Sequence, residues 1–172
     1  MDITIEGTGE DMELEMKIKG LMIDPITNMP IIILRDPSST AVLPIWVGIF
    51  EANAIALQIE KIATPRPMTH DLLKSILSDL KATVDKIVIT DLKENTFYAT
   101  IHLNHEGQSF PIDSRPSDAI ALALRTGSPI FVTSKVIEKA KNTDLTKDAG
   151  ESERIRKWLE NLDPDEMGKY EM

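Results

Sequence analysis

The first third of the chain alternates apolar and polar residues in the way that strands do. Between residues 12 and 23, side chains such as Leu14 and Met16 alternate with charged ones, which predicts a strand with one buried face. A run of isoleucines follows at 30–34 and a third apolar stretch at 41–47, each after an Asp-Pro turn. The three segments together predict an antiparallel meander.

The spacing of the apolar residues then changes from strand-like to helical. Phe50, Ala54 and Leu57 recur with the period of a helix, and we expect this helix to run to Ala63. The two prolines in residues 64–67 cannot lie inside a helix, so they predict a rigid extended linker.

A second helix is expected to begin with Thr69 as its N-cap. Polar residues cover one side of it, and its apolar residues form one stripe. The stripe comprises Leu72, Leu73, Ile76, Leu77 and Leu80.

The clearest hairpin comes next, with strands at 84–92 and 96–104 around a short polar turn. A further short strand is predicted at 108–113. Pro116 in a first helical turn and Gly127 at a C-terminal cap then bound a helix that is apolar almost all round. Such a helix should be buried.

The pattern ends with a last short strand at 129–132 and a helix at 136–141 that Ser134 is expected to cap. The fold class is therefore α+β, with a mixed, largely antiparallel sheet packed with helices in a single domain. We divide the chain into an acidic N-terminal extension (1–11), the folded domain (12–141), and a linker with a C-terminal amphipathic helical segment (142–172).

Composition excludes several kinds of site. The chain has 172 residues, of which 42% are hydrophobic, and this is enough for one core without disulfides or a structural metal. It contains no cysteine, which excludes disulfides, thiolate metal sites and a thiol nucleophile. Because no stretch approaches the roughly 20 apolar residues of a membrane span, we expect no membrane contact and a cytoplasmic location.

The net charge of −9 argues against a nucleic-acid partner, because proteins that bind polyanions usually carry a basic surface. The acidity, however, lies at the ends of the chain. Residues 1–16 carry six acids and no base, whereas residues 17–137 hold twelve of each sign. The central region is electrically balanced and has no run of Lys or Arg, so strong non-specific DNA binding is not expected.

Four irregular motifs stand in order between about residues 16 and 137. They are LPIWVG at 43–48 with Glu51-Ala52, PRPMTHDLL at 65–73, TFYA at 96–99, and DSRPSDAIALA at 113–123. Together they resemble the bifunctional nuclease domain family. The resemblance implies a mixed α+β fold, commonly a homodimer, and activity on both DNA and RNA. It does not imply a residue-level mechanism, and the candidate site residues follow from the chemistry of the side chains.

Nucleases need an activated water, a group that stabilises the transition-state charge and a proton for the leaving oxygen. Asp113 ends a strand, Arg115 lies in the following turn and Asp118 opens a helix, so these side chains are expected to meet at one corner. We interpret Asp113 and Asp118 as ligands of a divalent metal, Mg²⁺ or Mn²⁺, and Arg115 with Ser117 as substrate-binding residues. Alternatively, Asp118 complements the helix dipole and Arg115 pairs with Asp113.

The catalytic candidates are His70, Asp71 and Glu51. A histidine can donate or accept a proton near neutral pH, and Glu51 is a carboxylate on an otherwise apolar helix. Thr69 and Asp71 are also ordinary capping residues, so this helix start has a structural explanation as well. Arg66, held between two prolines, is predicted to contact a substrate phosphate or to support a dimer contact.

The sequence thus favours a metal-assisted phosphodiesterase that acts on DNA and RNA without marked sequence preference, as a homodimer. The alternative is a non-catalytic module that binds an anion, a small ligand or a partner protein at its capped helix starts. The balanced charge of the central region supports this alternative.

Overall fold

The computed structural model describes residues 11–142, which fold around one seven-stranded sheet. The strands are β1 (Glu13–Ile23), β2 (Pro30–Arg35), β3 (Val42–Trp46), β4 (Ala82–Lys93), β5 (Thr96–His105), β6 (Gln108–Ser114) and β7 (Ile130–Thr133). Nearly all of the acidic extension and of the C-terminal segment lies outside the described residues.

Across the sheet the strand order is β3-β2-β1-β7-β4-β5-β6. β4 and β7 pair in parallel, and the other neighbouring strands pair antiparallel. β1 joins the two halves, because residues 13–16 pair with β7 while residues 17–23 pair with β2. The predicted meander and hairpin are both confirmed, and the fold is α+β with a mixed, mostly antiparallel sheet in a single domain.

Four helices accompany the sheet: α1 (Ile49–Ile59), α2 (Thr69–Asp79), α3 (Pro116–Thr126) and α4 (Ser134–Asn142). α3 lies on β4 and β5, and α1 and α2 both pack against α3. As predicted, α3 is buried along most of its length, starts at Pro116 and ends at Gly127, whose φ of +68° favours glycine.

The ends of two helices differ from the sequence-based expectation. α1 stops at Ile59 rather than Ala63, because Lys61 adopts a left-handed φ of 56° and turns the chain out of the helix. Met68, not Thr69, is the N-cap of α2. Its backbone N–H donates to the Asp71 carboxylate (2.9 Å), so Asp71 takes the capping role.

The apolar stripe of α2 faces outward. Most apolar stripes on amphipathic helices pack on a core, but His70 is the one residue of α2 that is buried. Leu77 is partly buried against the core. The other four side chains of the stripe are between 42% and 61% exposed; they are Leu72, Leu73, Ile76 and Leu80.

Candidate functional site

The first turns of three helices meet, and each contributes to one polar network. Glu51 lies in the first turn of α1, His70 in that of α2 and Asp118 in that of α3, while Arg115 is the N-cap of α3. His70 Nε2 lies 2.9 Å from Asp118 Oδ1. Arg115 donates from Nε to Asp118 Oδ2 (2.8 Å) and from Nη1 to Glu51 Oε1 (2.9 Å). We call Glu51, His70, Arg115 and Asp118 the helix-start network.

Local sequence places two of these side chains. Pro116 at the first position of α3 presets the backbone for a helix, so Asp118 falls in its first turn near the positive end of the helix dipole. Gly48 precedes α1 and leaves room for Glu51. A Cβ at Gly48 would lie 2.2 Å from Oε2 of Glu51, so only glycine allows the carboxylate to sit there.

Hydrogen bonds within the network stabilise the charged forms of Asp118 and Arg115. Burial raises the pKa of Asp118, but the hydrogen bonds from Arg115 and His70 outweigh it and leave the pKa below its ordinary value. The hydrogen bond and the charge of Asp118, followed by those of Glu51, raise the pKa of Arg115. Asp118 and Arg115 therefore form a stable ion pair at neutral pH.

The network presents its cation to solvent. The Arg115 side chain is 64% exposed, compared with 32% for Asp118, 22% for Glu51 and 10% for His70. A guanidinium has five N–H donors, and the contacts to Asp118 and Glu51 use the Nε and Nη1 atoms. Donors remain for an incoming anion such as a phosphate.

Asp71, a predicted catalytic residue, faces away from the network toward Arg125. Arg125 donates from Nε to Asp71 Oδ1 (2.6 Å), from Nη1 to the Ala121 carbonyl and from Nη2 to the Ala54 carbonyl. Its side chain is only 4% exposed. The hydrogen bond from Met68 N–H, together with Arg125, lowers the pKa of Asp71 despite burial. Asp71 and Arg125 thus hold α2, α3 and α1 together.

Arg125 is not among the site residues predicted from the sequence. A signal was present, since this arginine follows the apolar run of α3, and a charged residue on a buried helix needs a partner. The sequence did not predict that the partner is Asp71, because Asp71 lies 54 residues earlier and the pair leaves no local pattern.

Three other predicted site residues lie outside the network. Arg66 is exposed in the linker between α1 and α2, and Ser117 is 7% exposed in the first turn of α3. Asp113 is exposed on β6, where it pairs in register with Thr100. Within residues 11–142, no hydrogen bond or ion pair joins Asp113 to Asp118.

The described residues do not form a conventional metal site. In the part of the chain that the structure describes, no group of three or more His, Asp or Glu is arranged to hold an ion. Both carboxylate oxygens of Asp118 are already engaged, by His70 and by Arg115. A divalent ion would fit here only if substrate oxygens and waters completed its shell.

Comparison with known proteins identifies the family. The sequence profile of the bifunctional nuclease domain matches residues 32–144 of this chain. The chain belongs to the bifunctional nuclease domain family. All four residues of the helix-start network lie inside the matched region of this bifunctional nuclease domain.

Two sets of relatives match the chain. An uncharacterized protein found in two strains of Mycobacterium tuberculosis is 33% identical over 164 residues, which cover 89% of this chain and 97% of that protein. A rice protein (Oryza sativa subsp. indica) named bifunctional nuclease 1 is 25% identical over 116 residues, covering 66% of this chain and 35% of the rice protein. Among residues 11–142, no helix is long and apolar enough to cross a membrane.

Proposed function

We propose that this bifunctional nuclease domain cleaves phosphodiester bonds in DNA and RNA, and that the helix-start network is its active site. The observation that carries the proposal is the network itself, in which three helix N-termini surround an exposed guanidinium, two carboxylates and an imidazole. Family membership and the plant relative named as a nuclease support the same activity.

Arg115 binds the phosphate in this proposal. Its side chain is the most exposed of the four, and Asp118 and Glu51 hold it in place from two sides. The N-termini of α1, α2 and α3 add backbone N–H groups and positive dipole ends, which favour a bound anion. Negative charge that develops on the phosphoryl oxygens during cleavage is therefore stabilised by groups already in position.

In this proposal His70 is the general base and general acid. An ionised carboxylate can only accept hydrogen bonds, so the contact with Asp118 assigns a proton to His70 Nε2. Nδ1 then remains as the atom that can accept a proton from water or return it to the leaving oxygen. Asp118 is the positioning residue, because it fixes the ring and anchors Arg115 with its two oxygens.

Assistance by Mg²⁺ or Mn²⁺ remains part of the proposal. Mg²⁺ often binds through one or two carboxylates while waters and substrate phosphates complete its shell, and the bound ion would stabilise charge on the phosphoryl oxygens. The described residues offer no three-ligand group, so the roles proposed for Arg115 and His70 do not depend on a bound ion.

The test is cleavage of single-stranded DNA and RNA by wild type, Asp118→Asn and Arg115→Ala, each with Mg²⁺, Mn²⁺ or EDTA. We expect each substitution to lower the rate by at least about 100-fold, while melting curves show that both variants are folded. Rates equal to wild type in both variants would refute the active-site assignment, and activity that ignores EDTA would refute metal assistance.

Asp113→Asn is the comparison variant that distinguishes the network proposal from a shared metal site. It removes a carboxylate of the same motif that, among residues 11–142, makes no hydrogen bond or ion pair with the helix-start network, so the network proposal expects nearly normal cleavage. A loss as large as that of Asp118→Asn would favour the sequence-based hypothesis that the two carboxylates share a metal.

A non-catalytic module that binds an anion or a small ligand is the second candidate. The ion pairs of both network carboxylates with Arg115 favour it, because they engage the groups that catalysis would use. It predicts that wild type binds short oligonucleotides through Arg115 and leaves them intact under every metal condition of the same assay.

We also propose that the chain forms a homodimer through the outward stripe of α2. The exposed side chains Leu72, Ile76 and Leu80 are four residues apart and lie in one row along the helix. The stripe carries no charge, so it can meet its own copy about a two-fold axis without repulsion. Burying the stripe would give α2 the second packing surface that it lacks in a single chain.

A further inference from the structure

A pocket of about 320 Å³ lies beside the helix-start network, between the end of α1, the linker that follows it and α2. Gln58 on α1 and Arg125 on α3 line it, and each is seven residues beyond a member of the network, Glu51 and Asp118 respectively. Seven residues of helix rise by about 10 Å. The pocket is therefore close to the proposed active site but separate from it.

Six of the eleven residues that line the pocket are polar or charged, and the other five are apolar. Leu57, Pro65 and Pro67 contribute apolar surface. The Gln58 amide can both donate and accept hydrogen bonds. Arg66 lies at the same pocket, and among residues 11–142 its guanidinium makes no ion pair, whereas the charge of Arg125 is paired with Asp71, which also lines the pocket. Arg66 is the cation that an entering anion would meet.

We propose that this pocket receives one unpaired nucleotide of the strand whose phosphodiester lies at Arg115, so that the protein selects single strands over duplexes. The inference rests on the proposed function and names its substrate class.

Three properties of the pocket support a nucleotide. Its volume is at the lower end of the 300–1,000 Å³ that is typical of small-ligand sites, which suits one nucleotide and not a base pair. An apolar wall beside Gln58 matches the flat face and the hydrogen-bonding edge of a base. Arg66 is suited to the phosphate of the same nucleotide.

The spacing of the two sites also agrees with a single strand. A separation of about 10 Å is spanned by about three stacked nucleotides, or by fewer if the strand is extended. A base inside a duplex would first have to leave its stack and its partner to reach the pocket, and that cost disfavours duplex substrates.

Binding can be tested without cleavage by fluorescence anisotropy of labelled eight-nucleotide DNA and RNA, single-stranded and duplex, in EDTA. We expect Arg66→Ala to weaken single-strand binding by roughly tenfold or more, the effect of losing one charge-assisted hydrogen bond. Ala63→Trp should weaken it similarly, because Ala63 lines the pocket and is exposed, so the new ring fills the space without disturbing the core. Gln58→Ala should lower binding less and alter base preference.

Lys74→Ala is the matched control. It removes one positive charge from the exposed surface of α2 outside the pocket, so its binding should stay within about twofold of wild type, as expected for a screened surface charge. If Lys74→Ala and Arg66→Ala weaken single-strand binding equally, the loss reflects the net charge of the protein and not a contact in the pocket. That result would overturn the pocket assignment.

The binding and cleavage assays can contradict the pocket inference and the nuclease proposal independently of each other. If wild type binds single strands through Arg66 but cleaves nothing under any metal condition, the pocket stands and the nuclease proposal is wrong. If wild type cleaves but Arg66→Ala and Ala63→Trp bind and cleave as wild type does, or if duplexes bind as tightly as single strands, the pocket inference is wrong and the nuclease proposal stands.

Discussion

Gly48 is the residue on which the position of the Glu51 carboxylate depends. Its φ of −73° is ordinary, so a larger residue would not strain the backbone. The conflict is with one side chain, since a Cβ would lie 2.2 Å from Oε2 of Glu51. A substitution here therefore acts on the site and not on the fold.

We predict that Gly48→Ala lowers the cleavage rate by about tenfold, the loss of one charge-assisted contact of Arg115, while the free energy of unfolding changes by less than about 1 kcal/mol. Steady-state cleavage assays and urea denaturation measure the two quantities. Glu51→Gln is the comparison, and the double variant should lose no more than either single one. If Gly48→Ala keeps the full rate while Glu51→Gln loses it, the steric explanation is wrong.

At the scale of secondary-structure elements, Asp91 holds α4 against the sheet. Its carboxylate on β4 accepts hydrogen bonds from Lys139 Nζ (2.7 Å) and Lys135 Nζ (3.1 Å), both on α4, and from the Leu92 N–H (2.8 Å). The hydrogen bond from Lys139 is the largest cause that holds the pKa of Asp91 well below its ordinary value, against the opposing effect of burial. The ionised form is therefore the one that stabilises the fold.

This makes the stability contributed by Asp91 dependent on pH. Because its pKa is lower in the folded state than the ordinary 3.8, the contribution is complete above about pH 5 and is lost as the pH falls toward the folded value. We predict that Asp91→Asn lowers the melting temperature at pH 7, and that the difference from wild type narrows at pH 3 and below. Circular dichroism melting curves at several pH values measure both effects.

Asp85→Asn provides the control for this prediction. Asp85 lies on the same strand but is exposed, and its side chain makes one long contact (3.5 Å) with Asn104. It should change the melting temperature little at any pH. A difference for Asp91→Asn that is the same at pH 7 and pH 3 would contradict the role given to the ionised carboxylate.

At the scale of the whole molecule, α3 organises both sites. Its first turn carries Asp118 of the helix-start network, and its last turn carries Arg125 beside the pocket. α1 and α2 pack against α3, so one buried helix sets the distance between the two sites. The exposed stripe of α2 belongs to the same helix as His70, which would place a dimer contact and the active site on one element.

We predict that wild type is a dimer by size-exclusion chromatography with light scattering, and that Ile76→Asp shifts it toward monomer, because two charges would face each other across a two-fold axis. Ser78→Asp is the matched control, since Ser78 is an exposed residue of α2 outside the stripe. A monomeric wild type, or an Ile76→Asp protein that remains a dimer, would contradict the proposed interface.

Local sequence patterns predicted the elements of the described region well. The alternation in β5 and the Pro116 and Gly127 boundaries of α3 were readable because they depend on neighbouring residues and on backbone geometry. The helix that was expected to run to Ala63 ends at Ile59, because Lys61 adopts a left-handed backbone conformation. The sequence did not predict this end, since no glycine marks the position. The helix starts that carry the candidate residues could be located from the sequence, although the N-cap of α2 is Met68 and not Thr69.

The contacts among those candidates were decided only by the tertiary structure. His70 and Asp118 are 48 residues apart, and Arg115 and Glu51 are 64 apart, so neither pair leaves a local periodic signal. Their meeting depends on which faces of α1, α2 and α3 pack together, and so does the pairing of Asp71 with Arg125. Asp113 is separated from the network by its place on β6, where it pairs with Thr100 of β5. The sequence by itself determined the elements, the balanced charge of residues 17–137 and the resemblance to the family. Packing decided which polar side chains share a site.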